Sequence, residues 1–256
     1  MLDYAAFPQQ RQSLIRQKLL NEGRVTVTGL AAELQVSEHT IRRDLQELAR
    51  EGVCKKVYGG AVSMVKESDS FINRSLAISA EKQRIASGCA SLVKDGGSVF
   101  IDAGSTNLAL ARALPEHLQL TVVTNSPLIA VELMRYPHYE VIMLGGRVQP
   151  QTGGSLGVTP QSQLSDIWFD QCFLGGCAMD AEAGVTVFDF TDAEFKRTVV
   201  ARSNEIIIAL TAEKIPGIAR YSVAQCADIA IMVVDKGIAA EKLTAFTGKN
   251  IRIERV

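Results

Sequence analysis

Nowhere in the 256 residues does an apolar run approach the ~20 positions a helix needs to span a bilayer. The chain opens on Met1-Leu2-Asp3-Tyr4, without the basic start and apolar core of a secretory signal, so the expected location is the cytoplasm, away from membranes. Cysteine is sparse and unorganised. The five (Cys54, Cys89, Cys172, Cys177, Cys226) form no C-x-x-C pair and no cluster with histidine. An odd count set mostly in apolar segments reads as reduced core thiols, which leaves no disulfide framework and no metal site. The three histidines, His39, His117 and His138, stand beside no serine or cysteine in a nucleophile pattern, so no catalytic residue is assigned. No cofactor motif is present either.

Strong net charge is also missing: the total is −1. That figure conceals an asymmetry, because residues 1–66 carry ten Lys/Arg against seven Asp/Glu while the remainder carries seventeen against twenty-one. A mildly basic head on an acidic body suits a nucleic-acid module joined to something else.

What is present begins with helical periodicity. Leu14, Ile15, Leu19 and Leu20 recur at helical spacing between Pro8 and Glu22, and Gly23 is placed to end that helix in a left-handed conformation. A short strand, Val25-Thr26-Val27, follows, and Thr28 is a candidate cap for a second helix over Gly29–Leu34. Ser37 is a natural N-cap for a third helix running to about Glu51, with Ile41, Leu45 and Leu48 on its inner face. Its outer face carries His39, Thr40, Arg42, Arg43 and Gln46. Two short helices, a turn and a cationic third helix form a helix-turn-helix, whose last helix enters the major groove. Arg42 and Arg43 are candidates for guanine edges, and Ser37 and Thr40 for phosphates. Beyond Gly52, the alternating segment Val53–Val62 with its Gly59-Gly60 turn reads as a hairpin wing that brings Lys55 and Lys56 to the DNA backbone. Thr26, Tyr58 and Gly59 complete the DNA-contact set.

The ordered run Val36-Ser37-Glu38-His39-Thr40-Ile41-Arg42-Arg43-Asp44-Leu45, followed by Val57-Tyr58-Gly59-Gly60-Ala61, closely resembles the head of DeoR-type transcriptional regulators. Taken alone, an Arg-Arg pair is better explained by a solvated helix face. The ordered set is specific to that family, and the resemblance implies binding to double-stranded operator DNA.

Residues 63–75, poor in apolar anchors, are the expected hinge between a DNA-binding domain at 1–62 and a sensing domain at 76–256. A helix from Leu76 to Val93 is expected next. Apolar strands then alternate with helices: Ser98–Asp102, Leu120–Thr124, Glu140–Leu144, Gln171–Gly175, Glu205–Leu210 and Asp228–Val234 are read as strands. Asn107–Leu114, Leu128–Arg135, Asp192–Ser203 and Val223–Ala227 are read as helices. The implied fold class is α/β, a Rossmann-like, mostly parallel sheet covered on both faces. Ligands of such sheets bind beyond the carboxyl ends of the strands. There stand Asp102, Gly104, Ser105, Thr106 and Asn107; Thr124, Asn125 and Ser126; Gly145, Gly146 and Arg147; and Gly175. Lys214 lies close by in the sequence after the fifth strand. Small residues, hydroxyls, helix starts and a lysine together make an anion site, although Gly-Gly pairs are often only turns. Asp180 and Asp189 have two readings, as groups that bind sugar hydroxyls or, preferred, as surface loop acids.

This half is also similar to the DeoR-family sensor domain, through Asp102–Asn107, Thr124-Asn125-Ser126, Leu144-Gly145-Gly146, Gly184-Val185-Thr186, Glu194-Phe195-Lys196-Arg197 and the turn at Lys214. The resemblance implies a homo-oligomeric regulator that answers a phosphorylated sugar, on a fold of the ribose-5-phosphate isomerase type. An active isomerase is the rival reading. Against it, the acid-rich strand end and lysine loop of those enzymes correspond here to Leu174-Gly175-Gly176-Cys177 and Val185-Thr186-Val187-Phe188, which supply neither acid nor lysine.

Overall fold

A computed structural model describes residues 7–67 and 70–256; residues 1–6, which include Met1 to Tyr4, and two hinge positions, 68 and 69, lie outside the described residues. In the head, α1 (Pro8–Glu22) ends at Gly23, whose φ of 75° is the left-handed cap the sequence implies. β1 (Arg24–Thr26) leads directly into α2 (Val27–Leu34). Thr26, not Thr28, caps α2 by accepting the Gly29 N–H at 3.1 Å, because the strand turns into the helix without a spacer. Ser37 caps α3 (Glu38–Arg50) through the Thr40 N–H at 3.1 Å. β2 (Cys54–Val57) and β3 (Gly60–Ser63) form the wing, with β3 central between β1 and β2 in an antiparallel sheet. Ile15, Leu19, Leu30, Leu34, Ile41, Leu45 and Leu48 make one small core beneath the three helices. A buried, two-pronged ion pair adds to it: Arg11 Nε and Nη2 meet Asp44 Oδ2 and Oδ1 at 2.5 and 3.1 Å.

The hinge is more built than its composition suggests. Ser63 still belongs to β3, and Ser70 caps a short helix, α4 (Phe71–Leu76). Phe71 is buried, set so tightly on Gly153 that a Cβ there would meet its ring. The expected helix from Leu76 to Val93 is therefore two helices. The chain breaks at Ala77, and Ser79 restarts it as α5 (Ala80–Ala90), leaving Leu76 exposed.

In the body all six expected strands are present, as β4 (Ser98–Ile101), β5 (Leu120–Thr124), β6 (Tyr139–Met143), β9 (Phe169–Leu174), β12 (Ser203–Ala209) and β14 (Ile231–Val234). With β15 (Arg252–Arg255) they make a seven-stranded sheet in the order β15-β14-β12-β9-β4-β5-β6, parallel throughout. Near-continuous apolar strands fit a sheet buried on both faces. One face is covered by α4, α5, α6 (Ser105–Ala113) and α7 (Pro127–Leu133) around Ile85, Leu108, Ile129 and Leu133. The other packs on α8 (Val158–Leu164) and α9 (Phe190–Ala201) around Phe100, Phe169, Leu164, Phe195 and Val199.

Small strands lie outside the main sheet. β7 (Arg147–Val148) pairs with β8 (Ser155–Leu156), while β10 (Ala178–Asp180), β11 (Gly184–Val187) and β13 (Tyr221–Ala224) form a second antiparallel sheet. The helix expected at Val223–Ala227 is thus the end of β13, where pairing with β11 and burial of Val223 and Ala224 decide the conformation. A 3-10 turn over Cys226–Asp228 follows it.

The strand order sets the site. From β4 the chain runs outward through β5 and β6, and then returns to place β9, β12, β14 and β15 on the other side. The order reverses between β4 and β9, where connecting segments diverge and leave a crevice past the carboxyl ends.

Candidate functional site

A cavity of about 470 Å³ fills that crevice, a size suited to a small metabolite. Ala103 to Asn107 line it after β4, and Gly175, Gly176 and Cys177 after β9. No side chain caps α6, so its first-turn N–H groups, from Ser105 on, are left for a ligand. Asn107 stays in place by donating to the carbonyls of Asp102 and Phe173, both at 2.9 Å, bracing β4 against β9.

Beneath these loops Lys196, on the inward face of α9, contacts Asp102 Oδ2, and its Nζ lies 3.3 Å from Asp192 Oδ1. Asp102 Oδ2 also accepts the Gly175 N–H at 2.8 Å, while Oδ1 is buried without a protein partner. Burial alone would lower the Lys196 pKa, but the two aspartates outweigh it and hold the pKa above the ordinary lysine value. Burial pushes Asp192 up to about 6, opposed by Lys196 and assisted by Asp102.

Lys214 crosses the opposite wall, its Nζ donating to the Gly176 carbonyl at 2.9 Å. Burial depresses the pKa of both Lys214 and Lys82, the latter from the start of α5. An anion beside a desolvated lysine would offset that depression, so the two positions suit an anionic ligand. Arg74 of α4 and Lys66 also line the cavity, giving five cationic side chains with Lys82, Lys196 and Lys214 against the carboxylates of Asp192 and Glu213.

At the far end of the head, α3 presents a second charged surface. Arg42 Nη2 lies 2.6 Å from Glu38 Oε2, and Arg43 Nε 3.6 Å from Glu47 Oε1. Both pairs are exposed i,i+4 contacts of about 0.3–0.5 kcal/mol, readily exchanged for base or phosphate contacts. His39, Lys55, Lys56 and Gly59 are exposed, and Tyr58 stands 95% exposed at the wing tip. Ser37 and Thr40 share a hydroxyl contact at 2.9 Å beside the start of α3. Thr26, by contrast, uses its hydroxyl as the cap of α2.

Comparison with known proteins decides what this pair of surfaces belongs to. A family model described as the DeoR C terminal sensor domain matches residues 78–236, and one for the DeoR-like helix-turn-helix domain matches residues 11–67. The chain belongs to the DeoR family. It is a DNA-binding transcriptional regulator.

Similar DeoR-family proteins include the HTH-type transcriptional regulator GolR of Listeria innocua, 34% identical over 91% of this chain and 92% of its own. The glycerol-3-phosphate regulon repressor of Haemophilus influenzae is 32% identical over 77% of this chain and 79% of its own. Among solved structures, ribose 5-phosphate isomerase A of Methanocaldococcus jannaschii overlaps 52% of each chain at 18% identity, with a TM-score of 0.39. The sorbitol operon regulator SorC of Klebsiella pneumoniae overlaps 83% of this chain and 96% of its own at 12% identity, also with a TM-score of 0.39.

The fold does not bring all of this DeoR-family chain's expected effector residues together. Gly104 to Asn107, Gly175 and Lys214 line the cavity, and Asp102 lies just behind it on Lys196. Thr124, Asn125 and Ser126 do not line it: they follow β5, one strand beyond the reversal, and act as a buried brace. Thr124 Oγ1 donates to the Ile101 carbonyl at 2.6 Å, and Asn125 Oδ1 accepts the Ala103 N–H at 2.9 Å. Gly145, Gly146 and Arg147 follow β6 at the sheet edge, farther still.

The lining residues Lys66, Arg74, Lys82 and Asp192 are absent from the expected site, and Lys196 figures there only within the Glu194–Arg197 motif. Asp192 and Lys196 had a legible signal, a charged i,i+4 pair on the same helix face as Phe195 and Val199, where only a partnered charge is tolerated. Asp180, read as a surface acid, is fully buried and accepts from Arg24 of the head at 2.9 Å. Asp189 caps α9 through the Asp192 N–H. Cys54, Cys89, Cys172 and Cys226 are buried, whereas Cys177 reaches the cavity. Among the described residues no group of three metal-ligating side chains is clustered, and no helix is long and apolar enough to cross a membrane.

Proposed function

We propose that this regulator represses a carbohydrate- or polyol-phosphate catabolic operon and that a phosphorylated sugar or similar anionic metabolite, held in the cavity between β4 and β9, controls it. The carrying observation is the convergence of Lys82, Lys214 and the uncapped start of α6 on one cavity. The phosphate would lie against these groups. The polyol would extend toward Asn107, Asp192 and Lys196, which offer donors and acceptors in fixed positions. The relatives' printed roles as regulators and as repressors of a glycerol-3-phosphate regulon favour the same chemistry.

Binding without turnover is the reading of this pocket. Enediolate chemistry needs a mobile base beside the carbon that loses its proton. Here the Gly175-Gly176-Cys177 turn carries no carboxylate, and Asp102 and Asp192 are both engaged by Lys196. The working form is a cytoplasmic homo-oligomer, since helix-turn-helix heads read paired half-sites symmetrically.

The test is a thermal-shift and calorimetric screen of the full chain against glycerol 3-phosphate, ribose 5-phosphate, fructose 6-phosphate and inorganic phosphate. A ligand at 100 times its Kd adds about 2.7 kcal/mol of stability. Stabilisation by a phosphorylated compound, lost in Lys214→Ala, is the expected result. A Lys214→Ala protein that binds as tightly as the wild type would remove the anion-site assignment.

A further inference from the structure

The cavity is not built by the sensor domain alone. Ser63, Met64, Val65 and Lys66, which leave the wing of the head, form part of its wall, and Leu20 of α1 stands at its rim. We infer that the DNA-binding head completes the effector site, with Lys66 as a ligand-contacting residue, so that effector binding and docking of the head on the sensor domain are one coupled equilibrium. This inference rests on the cavity being the effector site.

Two sets of contacts hold the head against the body, and each continues directly into the cavity wall. In the first, β3 runs on to the segment Lys214–Ile218. The Val65 N–H donates to the Ile218 carbonyl at 3.0 Å, and the Ile218 N–H to the Ser63 carbonyl at 3.2 Å. Ile218 is fully buried, and Gly217 admits Val65 only because it has no side chain: a Cβ there would lie 2.6 Å from Val65 Cγ1. Gly23 meets Pro216 in the same manner, with 2.5 Å between a hypothetical Cβ and the Pro216 carbonyl oxygen. Lys214, whose ammonium crosses the cavity to Gly176, begins this segment. A displacement of Lys214 by a bound anion is therefore transmitted through four residues to the strand that carries the wing.

The second set lies on the β10–β11 turn. Arg24 of β1 donates to Asp180 at 2.9 Å and also contacts Glu182, while the Tyr58 N–H of the wing donates to Glu182 Oε2 at 3.0 Å. The same turn feeds β11, whose last residue, Val187, lines the cavity together with Phe188 just after it. Arg24, Asp180 and Glu182 do not line it. They can influence ligand affinity only through the placement of the head.

Linkage makes the consequence reciprocal. If the docked head supplies part of the site, weakening the dock weakens the ligand, and the ligand in turn holds the head in the docked arrangement. A tenfold loss corresponds to about 1.4 kcal/mol of coupling.

The experiment measures the Kd of full-length protein for inorganic phosphate and for glycerol 3-phosphate by calorimetry. It compares wild type, Lys214→Ala, Lys66→Ala, Arg24→Gln and Glu182→Gln, with circular dichroism to confirm folding. The expected result is binding by the wild type, loss in Lys214→Ala, and a rise in Kd of about tenfold in Lys66→Ala and Arg24→Gln, with a smaller rise in Glu182→Gln. Binding lost in Lys214→Ala but unchanged in the other three overturns the coupling and leaves the effector site standing. No binding by the wild type overturns both. Glu182→Gln and Lys66→Ala alter exposed side chains, so failure to fold cannot obscure the comparison.

Discussion

Asp44 illustrates how a residue inside a DNA-binding motif need not face DNA. It sits on the buried face of α3, accepts two hydrogen bonds from Arg11 and a third from Gln12 at 3.2 Å, and ties α1 to α3. Removing one partner of a buried pair leaves an uncompensated charge, at a cost of about 3–5 kcal/mol. Asp44→Ala should therefore unfold the head at much lower urea concentration than wild type. Unaltered urea unfolding of the head would show that the pair is not the tie described here.

Asp192 gives a second test at this scale. Its native pKa stands above the ordinary aspartate value of 3.8, at about 6, so the folded state binds that proton more tightly than the unfolded state. The associated stability is complete below the unfolded value and is lost as pH rises through the folded one. Asp192→Asn keeps the shape of the protonated form. The unfolding free energy of wild type minus that of Asp192→Asn should hence fall between about pH 4 and pH 6 and level off above. A difference that stays flat across that window contradicts the burial described for this carboxyl group.

At the scale of elements, the outer face of α3 is the decisive one. Arg42 and Arg43 are exposed and weakly tied, so replacing both by alanine should abolish specific operator binding in a gel-shift assay while circular dichroism stays unchanged. Retained specific binding would assign recognition to another element. Ser37, which closes the first turn of α3, should cost about 1 kcal/mol when changed to alanine, read from thermal unfolding.

These elements were legible because local chemistry specifies them. Ser37 before a stripe of Ile41, Leu45 and Leu48, and Gly23 after a helical run, need no distant partner to be recognised. The six expected parallel strands were legible for the same reason, as apolar runs bounded by small residues. Val223–Ala227 was not, because its strand forms by pairing with β11, nearly forty residues earlier in the chain. The site was legible only in part. Residues past β4 and β9 were placed correctly at strand ends, but nothing in a one-dimensional pattern shows which strands flank the reversal. Thr124 to Ser126 and Gly145 to Arg147 have the same composition as true lining residues, and the order β9-β4-β5-β6 carries them away. Arg74 and Lys82 lay in segments read as hinge and as the expected Leu76–Val93 helix, and only the docking of α4 and α5 on the body places them at the cavity.

Across the whole molecule, a basic head and an acidic body meet through few but specific contacts, and the cavity between β4 and β9 lies where they meet. Gly217, like Gly23 against Pro216, is a tight point of that junction. Gly217→Ala should force Val65 off the Lys214–Ile218 segment, and the expected readout is faster proteolysis of the 63–75 connection with the two domains still folded. Proteolysis at the wild-type rate would show that the junction tolerates the added methyl group.

The most direct test of the central claim is operator affinity as a function of effector. Full-length protein is titrated onto fluorescent DNA taken from upstream of its operon, with and without a saturating phosphorylated sugar found by the screen, in wild type and Lys214→Ala. The account predicts a change in operator Kd of about tenfold or more in the wild type, equivalent to about 1.4 kcal/mol, and none in Lys214→Ala. An operator Kd in the wild type that does not respond to a ligand bound in the cavity would contradict it.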